Sequence, residues 1–311
     1  MTITAGQISR DDSRPDAGRA SGPSLAVGSR SAERGERGAS VSIIMCVYQA
    51  DRLEPLHGAV SSILTQTLRD FVLRILVDGP VADDLRAYLD ALCDARVQVR
   101  FSRSSQGLAA GLNQLIDDSL REGARFIARM DADDKSYPER LARQVAFLDR
   151  HPEVAVLGGG CLEVDEDTGE EFVKILPTDD DTLKRELVKR TPFVHPSVVF
   201  RSEVFKGGTR YRSSASEDMH LWVDLARYGW AFANLPEPVV VYRVSDALFR
   251  RRSSWSKATS ELSARLRGMV ELCMITPGNV AWTGAYLALR LLPLSLAKRA
   301  YRHLRPRGTR V

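Results

Sequence analysis

From residue 41 onward, short apolar runs alternate with stretches whose apolar residues recur at helical spacing. The short runs are rich in aliphatic and β-branched residues, which predicts strands: VSIIMCV (41–47), FVLRILV (71–77), VQVRF (97–101) and RFIARM (125–130). Helices are predicted near 55–66, near 82–93, and over a segment with Leu108, Leu112, Leu115 and Ile116 on one face. This alternation predicts an α/β fold with a mostly parallel, Rossmann-like sheet and helices on both faces.

The pattern after residue 135 is less regular. Pro138 suits a helix start, and the helix it opens is expected to end at His151-Pro152. Further elements are predicted from apolar runs and helical spacing: strands at 154–158, 197–200 and 238–242, and a helix from about Ser216 to Tyr228. We therefore expect one sheeted unit over 41–249, with a first half over 41–135 and a second over 136–249.

The string RMDADD places three carboxylates in four positions directly behind a predicted buried strand. Like charges this close repel and raise one another's pKa, unless a cation or hydrogen-bond donors compensate them. Asp78, Asp131 and Asp133 all fall at predicted carboxyl ends of strands, where ligands bind in such folds. The cluster either holds Mg²⁺ or Mn²⁺ through hard oxygen ligands, or forms an acidic turn that caps the following helix.

A second acidic pair, Glu217-Asp218, opens a predicted helix whose apolar residues face the core. A carboxylate fixed at a helix start beside a pocket can take the proton of an attacking hydroxyl. The alternative is that both residues only favour the positive end of the helix dipole, which is worth about 0.3–1 kcal/mol.

Charge divides the chain unevenly. The chain has 311 residues and a net charge of +4, but residues 250–311 hold 13 Lys or Arg against Glu261 and Glu271, which gives +11 there and −7 for residues 1–249. The asymmetry indicates an anionic partner surface. Residues 1–40 contain no aromatic residue and predict a disordered arm. The cysteines are scattered and indicate a reducing compartment rather than disulfides or zinc: Cys46, Cys93, Cys161 and Cys273.

The basic segment 250–311 is expected to be helical. Its uncharged stretch at 272–289 is interrupted by Pro277 and Gly278, so it is too short to span a bilayer comfortably. The apolar residues of its second part, followed by Lys and Arg, fit an amphipathic segment at a membrane interface. A partly buried pair of C-terminal helices fits the pattern equally well.

Several ordered motifs between Val41 and about Arg243 resemble the family 2 glycosyltransferases of bacterial exopolysaccharide, capsule and lipopolysaccharide synthesis, which have the GT-A fold. The motifs are VSIIMCVYQ, ILVDGP, QGLAAGLN, ARMDADD, PERLARQ, FVHPSVVFR and SSASEDMHLWVDLARYG. The resemblance implies that 41–135 is the half that binds the nucleotide-sugar donor and 136–249 the half that binds the acceptor. It implies a nucleotide-sugar site formed by Val47, Tyr48, Asp78, Gln106, Gly107, Asn113, Arg129 and Asp131. It also implies a metal site of Asp133 and Asp131, with His195 as a further candidate ligand.

The resemblance further implies that Asp218 is the catalytic base and that Glu217 binds the acceptor or is the second candidate. Family members often carry two acidic residues where this chain has only Asp78, so a uracil base is less firmly indicated. We expect an inverting transferase that uses Mg²⁺ or Mn²⁺ and moves one sugar from a nucleotide-sugar, UDP-linked by resemblance, to a hydroxyl of a glycan or lipid-linked acceptor. It would work at the inner face of the plasma membrane.

Two alternatives stand beside this expectation, one a different enzyme and the other a protein without catalytic activity. A sugar nucleotidyltransferase would share the sheet and the carboxylates, but it would be expected to carry a Gly-rich phosphate loop near the first strand, and residues 45–51 have none. A catalytically silent protein of the same fold could dock on a membrane through 250–311, although it would not need both acidic pairs. Nucleic acid binding has only charge in its favour and is not expected.

Overall fold

A computed structural model describes residues 39–245 and 254–290 of the chain. The expected disordered arm therefore lies almost wholly outside the described residues. The same holds for Arg250, Arg251 and Arg252 and for the basic residues after 290.

Within the described residues, nine strands form one sheet in the order β3-β2-β1-β4-β8-β6-β9-β5, with β7 paired to β6. Their bounds are β1 Val41–Val47, β2 Phe71–Val77, β3 Val97–Phe101, β4 Phe126–Arg129, β5 Lys135–Ser136, β6 Val154–Asp165, β7 Glu171–Lys174, β8 Val199–Arg201 and β9 Ala231–Val244. Strands β1 to β4, β6 and β9 run in one direction, and β5, β7 and β8 run against them. The sheet is mostly parallel, as predicted.

The helices follow the strands along the chain. Their bounds are α1 Leu53–Leu64, α2 Asp83–Asp90, α3 Leu108–Arg121, α4 Arg140–Arg150, α5 Asp180–Glu186, α6 Glu203–Lys206, α7 Glu217–Arg227, α8 Trp255–Glu271 and α9 Pro277–Arg290. A short 3-10 turn at His195–Ser197 precedes β8.

Two apolar cores lie on opposite faces of the sheet. Alternate residues of β1 point to the two sides, so that Ile43 and Met45 join one core and Ile44 joins the other. The first core packs α1, α2 and α4 against the sheet. The second contains residues of α3, α5, α6 and α7 and is centred on Trp222, which is fully buried. The layered α/β arrangement predicted from the sequence is confirmed.

Helices α8 and α9 extend the second core. Gly268 of α8 lies against Val223 and Val188, where an added Cβ would come within 3.1 and 3.3 Å of their side chains. Arg265 stacks on the ring of Tyr286 from α9, with its guanidinium carbon 4.1 Å from the ring centre. The described part of the C-terminal segment is thus a helix pair joined to the domain.

Candidate active site

Three carboxylates meet just beyond the end of β4. Asp131, Asp133 and Asp134 each offer an oxygen, and these oxygens all lie within 4.8 Å of one another. Asp131 is partly exposed, Asp133 is exposed, and Asp134 is buried. The sequence predicted Asp131 and Asp133 as a pair, and the structure adds Asp134 to them.

Asp134 is the most constrained of the three. Its Oδ1 accepts a hydrogen bond from the Arg243 backbone N–H at 3.0 Å, whereas its Oδ2 is buried without a donor among the described residues. Burial raises the pKa of Asp134 well above its ordinary value, and the charges of Asp133 and Asp131 raise it further. A buried carboxylate oxygen without a donor, facing two more carboxylates, fits the hard oxygen donor set that Mg²⁺ or Mn²⁺ prefers.

Two buried arginines stand behind the acidic cluster. Arg129, the last residue of β4, donates through Nε to Asp131 Oδ1 at 2.8 Å. Arg140 donates to the backbone carbonyl of Arg129 at 2.8 Å, and burial lowers its pKa to about 9 even though Asp131 and Asp134 act in the opposite direction. The charge of Arg129 lowers the pKa of Asp134, but burial and the two neighbouring carboxylates outweigh it, and the pKa stays raised.

Arg129 also reaches the second half of the domain. Its Nη1 lies 3.1 Å from His195 Nε2, and the same ring nitrogen lies 3.0 Å from the Tyr211 hydroxyl. Arginine can only donate, so Nε2 accepts. Burial, followed by the charges of Arg129 and Lys257, lowers the pKa of His195 well below its ordinary value, and the ring is neutral. Among the described residues, the set of side chains placed to hold a metal ion together consists of Asp131, Asp133 and Asp134 and does not include His195.

The Glu217-Asp218 pair occupies the first turn of α7. Oδ1 of Asp218 is buried without a donor among the described residues. Burial and then the charge of Asp218 raise the pKa of Glu217, while Arg129 and Lys257 act in the opposite direction. The pair is therefore partly desolvated and lies within electrostatic reach of the guanidinium that binds Asp131.

Asp78 organises the loop between β3 and α3. Its Oδ1 accepts from the Gln106 N–H at 2.7 Å, and its Oδ2 accepts from the Gly107 N–H at 2.9 Å. The loop needs glycine at two points: Gly107 has φ +89°, and Gly79 has φ +88° with Ser105 N only 2.9 Å from any added Cβ. The structure thus brings Asp78, Gln106 and Gly107 together at the carboxyl edge of the parallel strands.

The other residues expected at the nucleotide divide into exposed and enclosed ones. Tyr48 follows β1 and is 41% exposed. Val47 is fully buried, which leaves its backbone as its route to a ligand. Asn113 clamps Tyr211, since its amide donates to the Tyr211 carbonyl and accepts from the Tyr211 N–H, both at 2.9 Å. The side chain of Arg129 is likewise enclosed, between Asp131 and His195. Nucleotide contact by these four residues stays a prediction.

Sequence reasoning missed three residues of this region: Asp134, Tyr211 and Lys257. Asp134 was visible as the third carboxylate of RMDADD, but its burial was not. Lys257 lies in the first turn of α8, far beyond the last motif of the sequence analysis, and its Nζ donates at 2.5 Å to the carbonyl of Ala215, two residues before Glu217. No local pattern marks Tyr211 or Lys257, because both reach the site through contacts between distant segments.

Comparison with known families places this arrangement in context. The model of the family described as "Glycosyl transferase family 2" matches residues 42–208, and that of "Glycosyl transferase family group 2" matches residues 126–302.

Curated relatives match over most of the chain. The amylovoran biosynthesis glycosyltransferase AmsE of Erwinia amylovora is 28% identical over 84% of this chain and 97% of its own length. The putative glycosyltransferase EpsE of Bacillus subtilis (strain 168) is 32% identical, over 70% and 77% respectively. The UDP-Gal:alpha-D-GlcNAc-diphosphoundecaprenol beta-1,3-galactosyltransferase of Escherichia coli is 26% identical, over 72% and 81%.

Solved structures share the fold at low identity. S. aureus TarS 1-349 in complex with UDP-GlcNAc superposes with a TM-score of 0.59 at 14% identity, covering 85% of this chain and 73% of that one. The mannosyltransferase PcManGT from Pyrobaculum calidifontis, in complex with GDP-Man and Mn2+, superposes with a TM-score of 0.54 at 15% identity, covering 86% and 88%. The GT-A fold expected from the sequence is confirmed.

Proposed function

Because the chain belongs to glycosyl transferase family 2, we propose that it moves one sugar from a nucleotide-sugar donor to a hydroxyl of a polysaccharide or lipid-linked glycan. The names of its relatives support this class of acceptor: one acts in amylovoran biosynthesis, and another is named for a diphosphoundecaprenol-linked acceptor. A UDP-linked donor is part of the proposal, and the E. coli relative is named for UDP-Gal.

One observation carries the proposed mechanism: Oδ1 of Asp218 is buried without a donor among the described residues, at the start of α7. A desolvated carboxylate oxygen with no partner can accept the proton of an acceptor hydroxyl. Asp218 is proposed as the base, and Glu217 beside it as the acceptor-binding residue or second candidate. A base on one side of the sugar and a diphosphate leaving group on the other suit a single displacement with inversion.

Asp131, Asp133 and Asp134 are proposed to hold the divalent cation. When bound, Mg²⁺ or Mn²⁺ would neutralise charge on the diphosphate leaving group as a Lewis acid. Arg129 would fix Asp131 on one side while it keeps the neutral ring of His195 in place on the other. In this role Arg129 couples the donor half of the site to the acceptor half, and His195 orients side chains without ligating the metal.

The loop organised by Asp78 is proposed to receive the nucleotide. Both oxygens of Asp78 already accept N–H groups of Gln106 and Gly107, so Asp78 would shape the loop and leave base contacts to its neighbours. The exposed ring of Tyr48 at the end of β1 offers a stacking surface for the base. The enzyme is proposed to work as a peripheral protein at the cytoplasmic face of the plasma membrane.

The test is Asp218→Asn, assayed with a panel of nucleotide-sugars and a lipid-diphosphate-linked acceptor mimic, with Mn²⁺. We expect transfer to fall by about 10²–10⁴-fold, while calorimetric affinity for the nucleotide-sugar stays at the parental level, because Asp218 serves the acceptor. Glu217→Gln is the matched variant, and it should raise the acceptor KM more than it lowers kcat.

Undiminished transfer by Asp218→Asn would reject the assignment of the base. If the parent forms no glycoside with any donor, but makes a nucleotide-sugar from a sugar phosphate and a nucleoside triphosphate, the nucleotidyltransferase alternative is correct. If the parent binds no nucleotide-sugar and transfers nothing, the silent docking protein is the better description.

A further inference from the structure

Helices α8 and α9 expose a surface without charge. Between Ser254 and Ala288, every exposed position carries Ser, Thr, Cys, Gly, Ala, Pro or a larger apolar residue, and none carries Asp, Glu, Lys or Arg. A water-facing helix normally shows the opposite arrangement, with charged residues outside and apolar residues inside. The outer side of this helix pair is therefore unlike an ordinary solvated surface.

The charged residues of the same segment point inward and are paired. Glu261 accepts a hydrogen bond from the Tyr286 hydroxyl, and Arg265 donates to the Val188 carbonyl at 2.5 Å. Arg267 binds Asp224 of α7 and Glu271 of its own helix. These contacts fasten α8 to α7 and α9 to α8, which leaves the uncharged residues on the outside.

Six large apolar side chains mark this outer surface, which we call the charge-free face: Trp255, Leu266, Val270, Ile275, Val280 and Trp282. Trp255, Leu266 and Val270 are separated by 11 and 4 residues, which places them on one side of α8. Trp255 is 68% exposed, Val270 65% and Ile275 66%. Large apolar side chains exposed along two adjoining helices with no charged residue exposed between them indicate an interaction site rather than a solvated face.

Basic sequence flanks the charge-free face on both sides. Arg250, Arg251 and Arg252 precede α8, and six further cations follow α9 without any acidic residue: Lys298, Arg299, Arg302, Arg305, Arg307 and Arg310. Among the described residues, no helix is long and apolar enough to cross a membrane. In the sequence, the two helices with this apolar surface lie between cationic segments, which matches an anionic bilayer whose headgroups attract cations and whose interface takes up apolar side chains.

We propose that the charge-free face of α8 and α9 docks on the surface of an anionic lipid bilayer and that its most exposed apolar side chains, Trp255, Val270 and Ile275, enter the interface. Lys257 lies in the first turn of α8, and its Nζ donates to the Ala215 carbonyl in the loop just before Glu217. This contact joins the docking helix pair to the acceptor side of the site, which suits an acceptor that is linked to a lipid of the same membrane. This consequence rests on the proposed function, whereas the docking itself does not.

The experiment is flotation of the full chain with phosphatidylcholine vesicles that contain or lack phosphatidylglycerol. The test variant Val270→Glu/Ile275→Glu places two charges on the charge-free face at exposed positions, where the fold can tolerate them. The control Arg150→Glu makes the same change of −2 in net charge at an exposed position of α4, on the opposite side of the sheet. Thermal melting and donor-sugar transfer to a soluble acceptor mimic accompany each variant.

We expect the parent and Arg150→Glu to float with anionic vesicles at low salt, and the double variant to bind about tenfold more weakly or worse. Its melting and its transfer to the soluble mimic should stay parental. The inference is overturned if the parent does not float, if the double variant floats like the parent, or if light scattering shows a parental dimer that the double variant loses. If flotation follows the expectation but no variant transfers sugar, the docking surface stands and the proposed function falls.

Discussion

At the scale of single residues, a substitution of Asp134 should have opposite effects on folding stability without metal and on the stabilisation by a bound metal. The ionised form of Asp134 is disfavoured in the folded chain by burial and by Asp133 and Asp131. Asp134→Asn should therefore raise stability in EDTA by about 1 kcal/mol, which is a rise of a few degrees in Tm. The parent should gain Tm on addition of Mn²⁺, because a ligand that binds only the folded state stabilises it, and the variant should lose most of that gain.

Differential scanning fluorimetry with and without Mn²⁺ measures both effects. Asp90→Asn is the control, since it removes an exposed carboxylate of α2 that pairs with Arg86 and should leave the Mn²⁺ response parental. An equal response to Mn²⁺ in the parent and in Asp134→Asn would remove Asp134 from the metal site.

The cluster also marks the limit of residue-level prediction from the sequence. The string RMDADD alone leaves a cation site and a helix-capping turn as alternatives, and only the family resemblance selects Asp131 and Asp133 as the metal-binding pair. Asp134 is distinguished only by its contact with the backbone of Arg243, 109 positions away. Likewise, Asn113 and Tyr211 bind each other across 98 positions, and a motif match could not indicate that the Asn113 amide is used there.

At the scale of elements, α8 acts on the site through Lys257. Its Nζ holds the Ala215 carbonyl, and its charge works against the burial and the Asp218 charge that raise the pKa of Glu217. Glu217 also faces Arg129 of β4, and Tyr211 lies close by. Removing the ammonium should therefore raise the pKa of Glu217 further, and the acidic limb of the rate profile should move to higher pH, since the acidic pair must be ionised to act.

The variant is Lys257→Met, with Lys257→Arg as the conservative partner. We expect Lys257→Met to shift the acidic limb of the pH–rate profile to higher pH. At pH values on the acidic side of the limb, kcat should fall several-fold, while the affinity for the nucleotide-sugar stays unchanged. Lys257→Arg should restore most of the profile because it keeps the charge. A purely structural role would instead lower kcat equally at every pH and would leave the limb where it was.

Elements with strong local patterns were predicted well. The strands β1 to β3 and the helices α1, α3 and α7 lie within a few residues of their predicted positions. Strands β6 and β9 extend well beyond the predicted runs, because they pair with each other across register shifts at Gly159 and Gly160. Their outer residues gain a partner only in the folded sheet, so their local sequence does not predict a strand. For the same reason, the sequence pattern did not predict the short elements β5, β7, α5 and α6.

At the scale of the whole molecule, the charge asymmetry and the charge-free face have separable effects. Residues 1–249 carry a net charge of −7 and residues 250–311 a net charge of +11, so the excess positive charge of the chain is concentrated in its C-terminal segment. Electrostatic attraction to an anionic surface is screened by salt, whereas insertion of apolar side chains is not. The two contributions can therefore be measured independently in one protein.

Reversing four charges tests the electrostatic part: Lys298→Glu, Arg299→Glu, Arg302→Glu and Arg305→Glu, all outside the described residues. Each basic residue near an anionic bilayer contributes about 1 kcal/mol, so the loss should be on the order of 10³-fold at low salt and much smaller at high salt. Transfer to a soluble acceptor mimic should persist, because the four residues are not among those proposed for catalysis or for donor binding. Flotation across a salt series measures the effect. Val270→Glu/Ile275→Glu is the matched variant for apolar insertion, and its weaker membrane binding should persist at high salt. If reversing the four charges weakens binding equally at every salt concentration, the basic segment acts through the fold of the helix pair and not through attraction to the lipid surface.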